Sequence, residues 1–235
     1  MHEPYVHKIF IRKGKQMESD QTTDQMAETG GKVLFKEETD DVWLGKTGLR
    51  EDEVTNQTSN QQLERALFAY PIKHYTYWKH DVKVDSIALG DMGEHLAVLE
   101  MDEFSVCIGD TYRLGDAVIQ VSQPYQPSWK LARRFGIKDF ALNILTSGRT
   151  GWYFRVLQEG HVLSKADIEL IERPYPQWTI AACNEVMYIF RDHLRLADEL
   201  ASCHLLAKSW RQALRNRLRG KEPLHERGLF RFNHK

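Results

Sequence analysis

Ser105-Val106-Cys107-Ile108-Gly109-Asp110-Thr111-Tyr112-Arg113-Leu114-Gly115-Asp116-Ala117-Val118-Ile119-Gln120-Val121-Ser122 holds three short strand-like runs divided by two Gly-Asp pairs. The runs are Ser105 to Ile108, Thr111 to Leu114 and Ala117 to Ser122, and glycine-containing breaks of this kind supply the backbone freedom that tight reversals require. Connections this short cannot hold a crossover helix. The segment therefore belongs to an antiparallel or mixed sheet rather than a doubly wound one.

The pattern continues outward from that centre. Leu96 to Met101 is a further strand candidate upstream, and Trp152 to Leu157 resumes the sheet downstream, reverses at Glu159-Gly160 and continues near Ile168 to Ile171. Val33, Phe35, Val42 and Leu44 alternate with polar partners, so the sheet is expected to begin at Lys32. The preceding stretch, Lys15 to Gly31, is polar and aperiodic and reads as a mobile loop. Leu63, Ala66, Leu67 and Tyr70 at helical spacing predict a helix stopped by Pro71, and a second short helix holds His74, Tyr75 and Trp78. Trp129, Ala132 and Phe135 predict a helix ended by Gly136, and Phe140, Ile144 and Leu145 another before Gly148.

Beyond Pro174 and Pro176 the spacing is helical. Thr179 is a candidate N-cap for a helix with Ala182, Val186 and Ile189 on one face; Leu194, Ala197 and Leu200 mark a second, and Leu206, Trp210, Leu214 and Leu218 a third, closed by Gly220. The expected fold class is mainly β with α. Its parts are a polar N-terminal segment 1–31, a β-rich domain 32–174, a three-helix domain 175–222 and a basic tail 223–235.

Composition narrows the function classes. With 235 residues, 42% of them hydrophobic, the chain can build a real core, and no apolar stretch approaches the roughly 20 residues that cross a bilayer. Met1 to Arg12 lacks the apolar run of a signal peptide, so a cytoplasmic protein without a membrane partner is expected. Cys107, Cys183 and Cys203 are odd in number and widely spaced, which fits reduced packing thiols better than a disulfide framework or a zinc site. Net charge is −1, but Glu18 to Glu53 is acid-rich while Lys208, Arg211, Arg215, Arg217, Arg219 and Lys221 follow Leu206. The inward stripe of Trp210, Leu214 and Leu218 makes those cations a solvated helix face in preference to a nucleic-acid surface.

No P-loop, dinucleotide-binding glycine pattern, His-Glu-x-x-His or Gly-x-Ser-x-Gly occurs. One local feature stands out, Gln120 to Leu131, where a strand end, a loop stiffened by Pro124 and Pro127, and a helix start converge. Ser128 there is either an ordinary N-cap or a polar group at a helix end able to hold an anion.

Ile119-Gln120-Val121-Ser122-Gln123-Pro124 followed by Pro127-x-x-Lys130-Leu131 resembles the signature loop of MOSC-domain proteins of the YiiM type, as does Gly148-Arg149-Thr150-Gly151-Trp152-Tyr153-Phe154-Arg155-Val156-Leu157. Arg65-Ala66-Leu67, Tyr70-Pro71, Gly93-Glu94-x-Leu96, Gly109-Asp110, Lys208-Ser209-Trp210 and Arg217-Leu218-x-Gly220 extend the resemblance in order from about Gly45 to Gly220. It implies a β-barrel-like core, a small C-terminal three-helix domain and a molybdenum cofactor that reduces N-hydroxylated compounds with electrons from a donor protein. The implied cofactor-binding set is Glu94 of a matched motif together with Arg65, Lys130, Arg149 and Arg155, the four candidate donors to the pterin phosphate.

The departures fall at the implied site. Ser128 stands where relatives carry the cysteine expected to ligate molybdenum, and a hydroxyl is a harder, far less acidic donor. Asn60-Gln61-Gln62-Leu63-Glu64-Arg65 replaces His-Gly-Gly-x-Asp-Arg, and His95 replaces the asparagine of Gly-Glu-Asn-Leu. Two readings follow. In the first Ser128 ligates the metal as an alkoxide and His95 supplies a proton near neutral pH. In the second the fold is kept as an altered module that binds an anionic small molecule or a protein partner.

Overall fold

A computed structural model of the chain describes residues 3–16, 32–52, 60–84 and 86–221. Most of the expected Lys15 to Gly31 loop and the whole of the 223–235 tail lie outside those residues. Eleven strands are described: β1 (Tyr5–Gln16), β2 (Lys32–Thr39), β3 (Asp41–Gly45), β4 (Gly48–Leu49), β5 (Leu67–Pro71), β6 (Leu96–Leu99), β7 (Thr111–Leu114), β8 (Ala117–Pro124), β9 (Trp152–Gln158), β10 (Gly160–Leu163) and β11 (Ile168–Glu172). Eight form one sheet in the order β11-β7-β8-β9-β5-β6-β1-β2, and β10-β3-β4 form a second. The pairings are antiparallel except for β5 with β6, so the large sheet is mixed.

The expected mainly β core with helices is present as a large mixed sheet, and the described strands do not close into a barrel. β1 gives its length to β2 on one side and β6 on the other, and meets the start of β11 only at its own beginning, through the Tyr5–Asp167 bridge and hydrogen bonds from the Val6, Lys165 and Ile168 N–H groups to the Ala166, Val6 and Pro4 carbonyls. Without a continuous ladder between β11 and β1 the sheet keeps two edges. The β7–β8 hairpin forms as its Gly-Asp turn dictates. Gly115 sits at φ +57, and a Cβ there would lie 2.4 Å from the His161 carbonyl oxygen, so only glycine lets the reversal pack on β10.

Three local expectations differ from the structure. Leu67 to Pro71 is a strand rather than the end of a helix; α1 (Asn60–Leu63) is a single turn, and every residue of β5 is buried. A strand covered on both faces shows no two-residue alternation, so its apolar run imitates helical spacing. Ser105 to Ile108 forms turns, because the Asp102 side chain accepts from the Phe104 and Ser105 N–H groups and Asp110 accepts from that of Cys107, leaving one bridge from Cys107 to Thr179. The sheet begins at Tyr5, not Lys32, with Val6, Ile9 and Ile11 buried in β1.

The helices follow their sequence signals. α2 (Lys73–His80) buries His74, Tyr75 and Trp78. α3 (Trp129–Phe135) and α4 (Phe140–Ser147) end at the left-handed Gly136 and Gly148. α5 (Ile180–Asn184), capped by the Thr179 side chain accepting from the Ala182 N–H, runs into a π-helical turn, Glu185–Ile189. α6 (Leu194–Ser202) and α7 (Lys208–Leu218) complete the C-terminal part. Ile180, Cys183, Leu200, Trp210 and Leu214 share one apolar cluster with Ile108, Val121 and Phe154 of the sheet region. A second cluster, including Phe68, Tyr70, Trp78, Leu131 and Phe140, joins α2, α3 and α4 to β5. All three cysteines are free and buried, and burial raises their thiol pKa values. Among the described residues no helix is long and apolar enough to cross a membrane.

Candidate functional site

Two clefts open near β5, one at its N-terminal end and one beyond its C-terminal end, and they share no lining residue. The first has a volume of about 340 Å³. Its aromatic wall comes from β5, β9 and the stiff loop: Phe68 stacks on Tyr125 with centroids 4.3 Å apart, and Tyr153 lies 5.3 Å from Phe68. The Arg65 guanidinium lies 5.7 Å from the centre of the Tyr153 ring and donates from Nε to Gln123 Oε1 at 3.3 Å. Among the described residues no carboxylate pairs with Arg65.

A chain of polar groups crosses the same cleft. The Phe68 N–H donates to His95 Nδ1 at 3.0 Å, so the ring proton sits on Nε2, which donates to Asp52 Oδ2 at 3.0 Å. Arg12 Nε donates to both Asp52 oxygens, at 3.0 and 2.8 Å. Burial works to raise the Asp52 carboxyl, but the His95 hydrogen bond and the Arg12 charge outweigh it and hold the pKa at about 2. Burial, reinforced by the Lys36 charge, pushes His95 down to about 3. His95 is thus neutral near pH 7 with both nitrogens engaged, neither a surface residue nor a ready proton donor. Burial, followed by Arg12, lowers Lys36 to about 7, and its Nζ donates to the Glu94 carbonyl at 2.8 Å.

The other expected site residues are scattered. Glu94 is buried beside this cleft and not on its wall; its Oε1 accepts from the Tyr75 hydroxyl and the Gly90 N–H, and burial raises its pKa. Ser128 is at the N-cap position of α3, exposed, with φ −106 and ψ 162, and its side chain makes no cap hydrogen bond. It is not on the wall of either cleft. The Lys130 side chain lies outside what is described. Arg155 is a strut: Nε donates to Glu64 at 2.7 Å, Nη1 to Gln120 at 2.7 Å and Nη2 to the Leu205 carbonyl at 2.8 Å, tying β9 to β8 and to the α6–α7 connection. Arg149 lies in the second cleft, its guanidinium 3.7 Å from the centre of the Tyr77 ring. Of the expected set, the first cleft gathers Arg65 and His95. Sequence reasoning missed Asp52 and Arg12: Asp52 sits in a polar stretch, and Arg12 follows the apolar Ile9-Phe10-Ile11 run of β1, which could have marked a strand.

The profile of the MOSC domain matches residues 41–169, more than half of the chain. The chain belongs to the MOSC family. It is of the YiiM type: it is 32% identical over 188 residues to Protein YiiM of Escherichia coli, covering 77% of this chain and 82% of that one. The crystal structure of YiiM from Geobacillus stearothermophilus superposes with a TM-score of 0.74 at 31% identity, covering 92% of this chain and 99% of that one. The uncharacterized protein YflK of Bacillus subtilis is 38% identical over 148 residues, 63% of this chain and 66% of YflK. A Gibberella moniliformis protein named reductase is 34% identical over 177 residues, and this MOSC chain spans only 31% of its length.

The molybdenum cofactor implied by the family does not fit the described residues as a set. Ser128, which the resemblance sets at the ligand position, would offer a hydroxyl in place of a thiolate. Among the described residues no group of three His, Cys, Asp or Glu side chains offers a substitute metal site. The guanidinium groups expected at the pterin phosphate are dispersed between two clefts and a structural strut.

Proposed function

We propose that this MOSC chain is a binding module for a small anionic molecule with a planar ring, held in the Arg65 cleft, and that it has given up molybdenum-dependent reduction of N-hydroxylated compounds. The observation that carries this is the Arg65 guanidinium, set over Tyr153 without a carboxylate partner among the described residues and lining one cleft with the stacked Phe68 and Tyr125. A guanidinium fork matches carboxylate and phosphate oxygens, and the aromatic wall suits a flat ring. Arg12 and Asp52 cancel each other's charge, so Arg65 leaves the lining of the cleft positive. A cavity of about 340 Å³ suits a small ligand. In this reading His95 holds the wall in place through Phe68 and Asp52 and transfers no proton.

The test uses the full chain made in a host that assembles the molybdenum cofactor, with elemental analysis and fluorescence titration of pterin-6-carboxylate. We expect less than about a tenth of a molybdenum per chain. We also expect saturable probe binding that Arg65→Met weakens about tenfold or more, as loss of a charge-assisted hydrogen bond requires. Close to one molybdenum per chain, lost on Ser128→Ala, would restore the reductase reading. Failure to bind the probe at millimolar concentration would remove the binding reading.

A further inference from the structure

We infer that the second cleft is an independent site for a small hydroxylated oxyanion, a molecule carrying a phosphate or carboxylate close to a free hydroxyl. It does not depend on the Arg65 reading, since the two clefts have no lining residue in common.

The anion-recognising part is Arg149. Its guanidinium carbon lies over the Tyr77 ring, 3.7 Å from its centre, and its single hydrogen bond among the described residues is a long one, Nη1 to the Ser147 carbonyl at 3.5 Å. The neighbouring charges are already matched. Lys73 pairs with Asp102, which also accepts from the Phe104 and Ser105 N–H groups. Arg149 has no such carboxylate among the described residues and keeps most of its fork for a ligand.

The hydroxyl-recognising part is a buried dyad. His74, 5% exposed, has Nε2 2.8 Å from Glu103 Oε2, and Glu103 Oε1 accepts from the Gly151 N–H at 2.7 Å. A carboxylate can only accept, so Nε2 carries a ring proton, and in the neutral ring Nδ1 presents a lone pair. That Nδ1 has no protein partner among the described residues, yet it is not one of the polar atoms sealed from solvent, and the ring lines the cleft. An acceptor that opens to the cleft without a protein partner is left to water, and a ligand hydroxyl can take that water's place. The dyad is built into the backbone. Gly151 holds its N–H on Glu103 at φ +68, where a Cβ would lie 2.4 Å from the Ala69 carbonyl oxygen.

Glu103 also sets the selectivity. Its charge disfavours an anion that brings no donor to His74, so both features of the ligand are needed at once. Phe104, 76% exposed, forms an apolar side of the mouth, and a cleft of about 270 Å³ suits a molecule of a few carbon atoms.

The test titrates the full chain with two matched pairs, glycerol 3-phosphate against methyl phosphate and lactate against propionate, by calorimetry and by the imidazole ¹⁵N signals. The hydroxylated member of one pair should bind about tenfold or more tightly than its partner, as a hydrogen bond to a buried acceptor implies, and which pair responds identifies the anion. Arg149→Met, which keeps the stack on Tyr77, should abolish that binding, while Arg65→Met should leave it unchanged. In the unmutated chain the ligand should move the His74 Nδ1 resonance, a readout that needs no variant to fold. Equal affinity within both pairs, no binding of any probe, an indifferent Arg149→Met or an unmoved Nδ1 signal would each overturn the inference.

Discussion

Replacing His95 by asparagine, the residue that the motif resemblance leads one to expect there, should flatten the dependence of stability on pH below neutrality. In the folded chain His95 Nδ1 accepts the Phe68 N–H and Nε2 donates to Asp52, so a second ring proton would have to displace the Phe68 bond inside a buried site. Its folded pKa is accordingly about 3, against 6.5 when free. The unfolded chain takes up a proton near 6.5 that the folded chain refuses until about 3, so the stabilising contribution is complete above 6.5 and is lost as pH falls. One proton corresponds to about 1.4 kcal/mol per pH unit, so going from neutrality to about pH 4.5 should cost roughly 2.7 kcal/mol, a large share of a typical 5–15 kcal/mol total. Asp52, held at about 2 when folded and titrating near 3.8 when unfolded, contributes little across that window. Urea unfolding between about pH 7.5 and 4.5, with each protein referred to its own value at the upper end, isolates the slope from the constant cost of the substitution. Parallel curves for the wild type and His95→Asn would refute the reasoning, as would a folded-state His95 ring signal titrating near neutrality.

Two further pairs of substitutions test the local geometry. Ser128→Ala should change stability by less than about 0.5 kcal/mol, because the exposed hydroxyl makes no cap hydrogen bond, whereas Thr179→Ala should cost about 1 kcal/mol by removing the acceptor of the Ala182 N–H. Equal shifts in denaturant midpoint would contradict this. Gly148 and Gly151 have nearly the same positive φ, +70 and +68, but a Cβ at Gly148 meets open space while one at Gly151 meets the Ala69 carbonyl oxygen at 2.4 Å. Gly148→Ala should therefore cost about 1–2 kcal/mol and Gly151→Ala at least about 1 kcal/mol more, measured by chemical unfolding; a smaller loss at Gly151 would sink the steric argument.

The sequence by itself determined what local chemistry determines. The Gly115-Asp116 turn names the β7–β8 hairpin, Gly136 and Gly148 end two helices, Thr179 starts a third, and the order of motifs gives the family, because turn conformation and capping depend on residues a few positions apart. Tertiary structure decided β5, whose apolar run becomes a strand through pairing with β6 and β9, and β1, which is buried by neighbours remote in the chain. It also decided the site. Arg65, Arg149 and Arg155 are the same residue type with the same expected task, yet one lines an aromatic cavity, one lies over Tyr77 in another cleft and one is consumed as a strut. His95 looks from its motif like a surface group or a proton donor, and becomes a neutral brace through burial, the Phe68 N–H and Asp52. A motif specifies which group stands at a position; the charge that group carries and what it can bind depend on desolvation and on partners that the fold brings from far along the chain.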